Sequence, residues 1–201
     1  SAEAPLYAGL NRLQAQRCRE KSDTQNRAGF YAGISGINTI FDPQIFFAMR
    51  IALIAHDNCK KDIVEWAVHN YKVLIHQDMY CTGTTGRLIK EALAERVSKS
   101  GESKSDPRVT CLKSGPLGGD QQIGAMIAND ELDVVIFFTD SLTAQPHDTD
   151  IKSLQRLASM YNIPMACNRA TADYIITSPL FNNPKYNRIR PNFENYNNRK
   201  L

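Results

Sequence analysis

From Arg50 onward one pattern recurs: a short apolar run, a cluster of Gly, Thr, Asp, His or Asn, and then apolar residues spaced three or four apart. The runs at 51–55, 78–81, 109–112, 133–138 and 164–167 read as strands. The segments after them carry Ile63, Ala67, Val68 and Tyr71; Leu88, Ile89, Ala92, Leu93 and Val97; Ile123 and Ile127; and Ile151, Leu154, Leu157, Ala158 and Tyr161, all at helical spacing. Strands joined through helices pair in parallel, so the pattern predicts an α/β fold: a flavodoxin-like, doubly wound parallel sheet with helices on both faces. The continuous run 133–138 reads as a central strand buried on both sides. Every polar cluster then falls at the carboxyl end of a strand, the edge at which open α/β sheets bind ligands.

The richest cluster is Ser114-Gly115-Pro116-Leu117-Gly118-Gly119-Asp120-Gln121-Gln122. Its glycines permit close backbone approach and positive φ, and the helix start beyond it leaves amides without intrahelical partners. That describes an anion site with one carboxylate, Asp120, beside it. A strand-to-helix turn capped by Asp120 accounts for the loop equally well when it is taken alone. Thr82-Gly83-Thr84-Thr85-Gly86 is a second such loop, with hydroxyls and amides at a helix start that suit a phosphate dianion. It lacks the spacing of a Walker loop. His56, Asp57 and Lys60 follow the first strand, and Asp140, His147 and Asp150 follow the fourth. Together the loops supply a phosphate cradle, a lysine, a carboxylate base and imidazoles able to polarise an oxygen. This suits proton abstraction next to the carbonyl of a small phosphorylated ketone. No serine or cysteine pairs with an evident base, and the histidines lack metal-ligand spacing, so covalent and zinc chemistry rank low.

Composition narrows the class. The 201 residues, 42% hydrophobic and 22% charged, suffice for one α/β domain with appendages. A net charge of +3 without basic blocks interleaved with aromatics excludes a nucleic-acid surface and favours small anions. The longest apolar run, 45–55, contains Arg50 and is too short for a bilayer, so a soluble, cytoplasmic protein is expected, with no membrane partner. The five cysteines are scattered singly, and Cys81, Cys111 and Cys167 are expected to be buried, reduced thiols. Residues 1–49 read as an extension of unknown role, Arg-rich and without chemistry of its own. It fits a solvated or oligomer-packing arm better than a second functional domain, and a targeting sequence stays open. Residues 50–181 form the α/β domain and 182–201 a polar tail, while the stretch 98–106 reads as a surface loop.

Taken in order, Ile51-Ala52-Leu53-Ile54-Ala55-His56-Asp57-Asn58-Cys59-Lys60, the threonine loop, the Ser114 to Gln122 loop, Pro146-His147-Asp148-Thr149-Asp150 and the segment 168–173 resemble methylglyoxal synthase. The resemblance spans residues 50–181 and implies conversion of dihydroxyacetone phosphate to methylglyoxal and inorganic phosphate, a glycolytic bypass, with no metal or organic cofactor. It also implies a homohexamer, with phosphate as product and inhibitor. Residue by residue, Asp120 takes the place of the family's catalytic base, His147 that of its proton-shuttling histidine, and Asp140 and Asp150 those of supporting acids. His56 and Asp57 join the catalytic set. His56, Lys60, Thr82, Gly83, Thr84, Thr85, Ser114, Gly115 and His147 correspond to contacts to the substrate and its phosphate. Arg188, Arg190 or Arg199 is expected at a neighbouring subunit's site.

This sequence departs from the family pattern at Thr139 and Ser141, where Trp and Pro are expected, and in the arm before Arg50. The alternative reading is a non-catalytic phosphate- or nucleotide-sensing domain of the same fold. Such a domain needs the cradle but not the acid and histidine set.

Overall fold

The fold is built outward from β1 (Arg50–Ala55), which lies at the middle of a five-stranded sheet. The computed structural model describes residues 48–101, 106–144 and 148–199. The other strands are β2 (Asp78–Cys81), β3 (Val109–Cys111), β4 (Val134–Phe138) and β5 (Met165–Ala166). All pairings are parallel, in the order β3-β2-β1-β4-β5. The doubly wound parallel sheet expected from the sequence is thus present. Its direction of winding reverses between β1 and β4, whereas a flavodoxin sheet, ordered 2-1-3-4-5, reverses between its first and third strands.

Alternation along β1 divides the core in two. Ile51, Leu53 and Ala55 face helices α1 (Lys60–His69), α2 (Tyr71–Leu74), α3 (Gly83–Ser100) and α6 (Arg169–Thr177). Ala52 and Ile54 face α4 (Gly119–Ala128) and α5 (Asp148–Met160). In α1 the buried positions are Ile63, Trp66 and Ala67, spaced as the apolar period requires, and Trp66 Nε1 donates to Asp173 Oδ1 at 2.8 Å. The sequence period overlooked Trp66, the largest buried side chain of the helix. Among the described residues no helix is long and apolar enough to cross a membrane.

At the amino end of the sheet, Arg50 fixes register. Its Nε and Nη2 donate to Asp133 Oδ2 and Oδ1 at 3.0 and 2.8 Å, and its backbone amide donates to Oδ2 at 2.9 Å. The fork holds the starts of β1 and β4 together, so that Ala55 lies opposite Phe138 at the far end. The residues just beyond those two positions are therefore neighbours across the switch point.

Two expectations change. Residues 98–100 are the last turn of α3 rather than loop, and the helix stops at Gly101, whose φ of +65° is the left-handed conformation of a C-terminal cap. Cys111 is exposed and Cys167 half-buried, while Cys81 is buried as expected. The reason for Cys111 is that β3 is an edge strand, a position that local sequence does not reveal. The polar tail is tied to the amino end of the sheet, where Arg188 donates to Asp130 Oδ1 and Tyr161 O, both at 2.6 Å, and Arg190 also bonds Asp130. Phe193 packs edge-on against Tyr161, and α7 (Glu194–Asn197) follows. The arm, apart from Ala48 and Met49, lies outside the described residues.

Candidate active site

His56 leaves β1 at the switch point and is 6% exposed. Its ring meets Phe137 edge-on at 5.0 Å, and the Asp140 amide donates to its Nδ1 at 2.8 Å. A nitrogen that accepts an N–H carries a lone pair, so the ring is the neutral Nε2–H tautomer. That leaves Nε2–H as its donor. The chain then makes a 3-10 turn, Asp57–Cys59, and enters α1 at Lys60. Lys60 Nζ pairs with Asp57 Oδ1 at 2.5 Å, and the Asp57 side chain is 93% exposed. Asp57 therefore acts as counter-ion to Lys60, and its exposure weighs against the catalytic role expected of it.

The two glycine loops are stitched together along β2 and β3. Leu112 N donates to Cys81 O at 2.8 Å and Gly83 N to Lys113 O at 3.0 Å. Thr82 stands at the N-cap of α3 with extended backbone, so Gly83, Thr84 and Thr85 form a first helical turn whose amides have no intrahelical carbonyl to meet. Beyond Ser114, the 3-10 turn Gly115–Leu117 leads to Gly118 at φ +98°, and α4 begins at Gly119. A Cβ on Gly119 would lie 2.0 Å from Lys113 O, so only glycine allows the helix start to pack this closely on the preceding strand end. Asp120 is the next residue, 1% exposed with both carboxylate oxygens buried.

These elements enclose a cavity of about 160 Å³. It brings together His56, Asp57, Lys60, Thr82, Thr84, Thr85, Ser114, Gly115 and Asp120, nine of the expected site residues. Gly83 contributes closeness instead, since its Cβ position is 3.0 Å from Ser114 N. Ile54, Ala55, Pro116 and Phe137 also line the cavity and were not singled out from the sequence. As the last residues of strands and a turn proline, they had only their position at the carboxyl edge to mark them.

Asp140 stands beside the cavity rather than in its lining. Its Oδ1 accepts from the amides of Leu142 and Thr143 at 2.9 and 3.2 Å, and its Oδ2 from Asn58 Nδ2 at 2.7 Å. Hydrogen bonds from Thr143, Asn58 and the Leu142 amide hold its carboxyl well below the usual carboxylate range. Through these bonds Asp140 ties the 140–143 loop to the turn that follows β1. Asp150 lies half-buried in the first turn of α5, away from the cavity lining. His147 lies outside the described residues. Arg188 and Arg190 are held at Asp130, at the amino end of the sheet, whereas Arg199 stacks 3.8 Å over the Tyr196 ring.

A buried carboxylate, a lysine with two amide-lined loops, and a neutral imidazole donor thus surround a space suited to a small phosphorylated molecule. The sequence profile of the family described as MGS-like domain matches residues 62–167. Methylglyoxal synthase of Maridesulfovibrio salexigens is 47% identical over 153 residues, 76% of this chain and 97% of that protein. The chain belongs to the methylglyoxal synthase family. The Leptospira interrogans member is 54% identical over 132 residues, 66% of this chain and 81% of that protein. The crystal structure of the Elizabethkingia anophelis member superposes with a TM-score of 0.66 at 42% identity, covering 77% of this chain and 93% of that one. All three alignments leave part of this chain unmatched.

Proposed function

We infer that the protein is a lyase converting dihydroxyacetone phosphate to methylglyoxal and inorganic phosphate. One observation carries the reading: the buried carboxylate of Asp120 shares a cavity with Lys60 and both amide-rich loops. The phosphate dianion takes the Lys60 ammonium, the hydroxyls of Thr82, Thr84 and Thr85, and the amides at Ser114 and Gly115. This leaves the ketone end of the substrate toward His56 and Asp120. Asp120 removes a proton from the carbon bearing the free hydroxyl, and the electron pair moves to the carbonyl oxygen, giving an enediolate. The His56 Nε2–H donates to that oxygen, since a neutral imidazole is better matched to an enolate than a strong acid is. The hydroxyl on the deprotonated carbon then becomes the aldehyde carbonyl: its proton passes to the departing phosphate, the carbon–carbon double bond shifts to the methylene carbon, and the bond from that carbon to the bridging oxygen breaks, so that phosphate leaves with that oxygen. The enolate left behind takes a proton at its methylene carbon to become methylglyoxal. His147 and Asp150 complete the proton path in this reading.

The finer description rests on family membership: a cytoplasmic homohexamer, inhibited by inorganic phosphate, whose reaction bypasses later glycolysis. The test is turnover. The wild-type chain releases methylglyoxal and phosphate in equal amounts from dihydroxyacetone phosphate with a chelator present. Asp120→Asn keeps shape but loses basicity, and turnover falls on the order of 10²–10⁴-fold while phosphate binding persists. Well-folded wild type that binds phosphate without turnover returns the sensing domain as the better account.

A further inference from the structure

The 3-10 turn after β1 presents two side chains to one residue across the switch point. His56 receives the Asp140 amide on Nδ1, and Asn58, two residues on, gives its Nδ2–H to Asp140 Oδ2 at 2.7 Å. Asp140 is thus gripped at both its main chain and its side chain by a turn 82 positions earlier in sequence. Its other oxygen is turned inward to its own loop, accepting from Leu142 N and Thr143 N. Asn58 Nδ2 also lies 3.4 Å from Thr143 Oγ1, so the same amide reaches both ends of the 140–143 loop. Neither Asn58 nor Thr143 lines the cavity that holds Asp120 and Lys60.

We propose that Asn58 is a positioning residue for the reaction: by holding the Asp140 carboxylate it keeps the Asp140 amide on His56 Nδ1, and so keeps His56 the neutral Nε2–H donor. The inference rests on the lyase reading and deepens it. An amide N–H aimed at Nδ1 is incompatible with a proton there, which excludes both the Nδ1–H tautomer and the imidazolium. Once the loop is released, Nδ1 is open to protonation or tautomer exchange, and the imidazole then presents a lone pair or a full positive charge where a neutral donor is needed. The substrate's phosphate contacts are untouched by this change. The effect therefore falls on the chemical step rather than on binding.

Asn58→Ala and the isosteric Asn58→Asp test it. Asn58 is exposed and neither change opens a core cavity, so both variants fold, as circular dichroism checks. Asn58→Ala lowers kcat about tenfold, with KM within about twofold of wild type. Asn58→Asp sets a second carboxylate against Asp140 Oδ2 and is the worse of the two. A side chain that mattered only for filling space gives the opposite order. Magic-angle-spinning NMR on protein labelled with ¹⁵N-histidine reads the ring directly, with the His56 signal assigned by its loss in His56→Gln. Wild type shows one protonated and one unprotonated nitrogen with the proton on Nε2, and Asn58→Ala shows a mixture. Active wild type whose Asn58→Ala variant keeps both kcat and the pure Nε2–H signature overturns the positioning role alone. Wild type without lyase turnover overturns the functional reading and this role with it.

Discussion

At the scale of single residues, the cavity separates holding phosphate from moving protons, and Lys60 tests the separation. Its side chain lines the cavity and is already paired with Asp57, so it is in place before substrate arrives. Removing a charge-assisted hydrogen bond of this kind costs about 1.5–3 kcal/mol. Lys60→Ala is therefore expected to raise KM about ten- to hundredfold with a smaller change in kcat, and to weaken competition by inorganic phosphate in parallel. Steady-state kinetics with and without phosphate measure both, and a fall confined to kcat would remove Lys60 from the cradle. The residues of the cradle were legible because glycine and threonine at the end of a strand is a local signal. Asp57 was legible only as a residue type, since its exposure depends on the direction of a 3-10 turn. Asn58 carried no signal at all, because its partner is a loop 82 residues away.

At the scale of elements, apolar periodicity located each strand and each long helix but said nothing of which strands are neighbours. Strand order depends on how crossovers pack, and the same five strands in the order 2-1-3-4-5 would have given the same pattern. The cysteines show the consequence. Cys81 and Cys111 pair in register on β2 and β3, yet one is buried beneath α3 and the other exposed on the sheet edge. Burial pushes the Cys81 thiol far above its ordinary value, and the neighbouring Cys111 adds to the shift. A maleimide or iodoacetamide pulse on the native protein is therefore expected to label Cys111 while leaving Cys81 unmodified until the chain unfolds. Peptide mapping by mass spectrometry reads the two sites separately. Equal labelling of both in native protein would contradict β3 as an exposed edge. The same edge carries the strand end that delivers Ser114 and Gly115 to the cavity, so the least protected strand supports half of the cradle.

Across the whole molecule, two charged clamps hold the amino end of the sheet while the site occupies the carboxyl end. Arg50 joins β1 to β4 through Asp133, and Arg188 and Arg190 bring the tail back onto Asp130, whose φ of +58° marks the tight turn entering β4. Tail composition alone did not reveal this attachment, because two arginines are ordinary surface residues until their common partner, some sixty positions earlier, is known. Burial pushes the Asp130 carboxyl up, but hydrogen bonds from Arg190 and Arg188 more than reverse that and hold it below its ordinary value. A carboxyl depressed in the folded state contributes stability that is fully present above its unfolded pKa, about 3.9, and that is lost as pH falls through the lower folded value. Asp130 is 38% exposed, so solvent screening limits the contribution to about 1 kcal/mol or less. Arg190→Ala isolates this effect better than Arg188→Ala, which also breaks the bonds to Tyr161 O and Leu132 O. Arg190→Ala is expected to unfold at lower urea concentration than wild type at pH near 7, with the gap narrowing as pH is lowered through the carboxylate range. Urea titrations across that range measure it. A gap that stays constant with pH would show that Arg190 acts through packing and that the charge of Asp130 does not hold the tail.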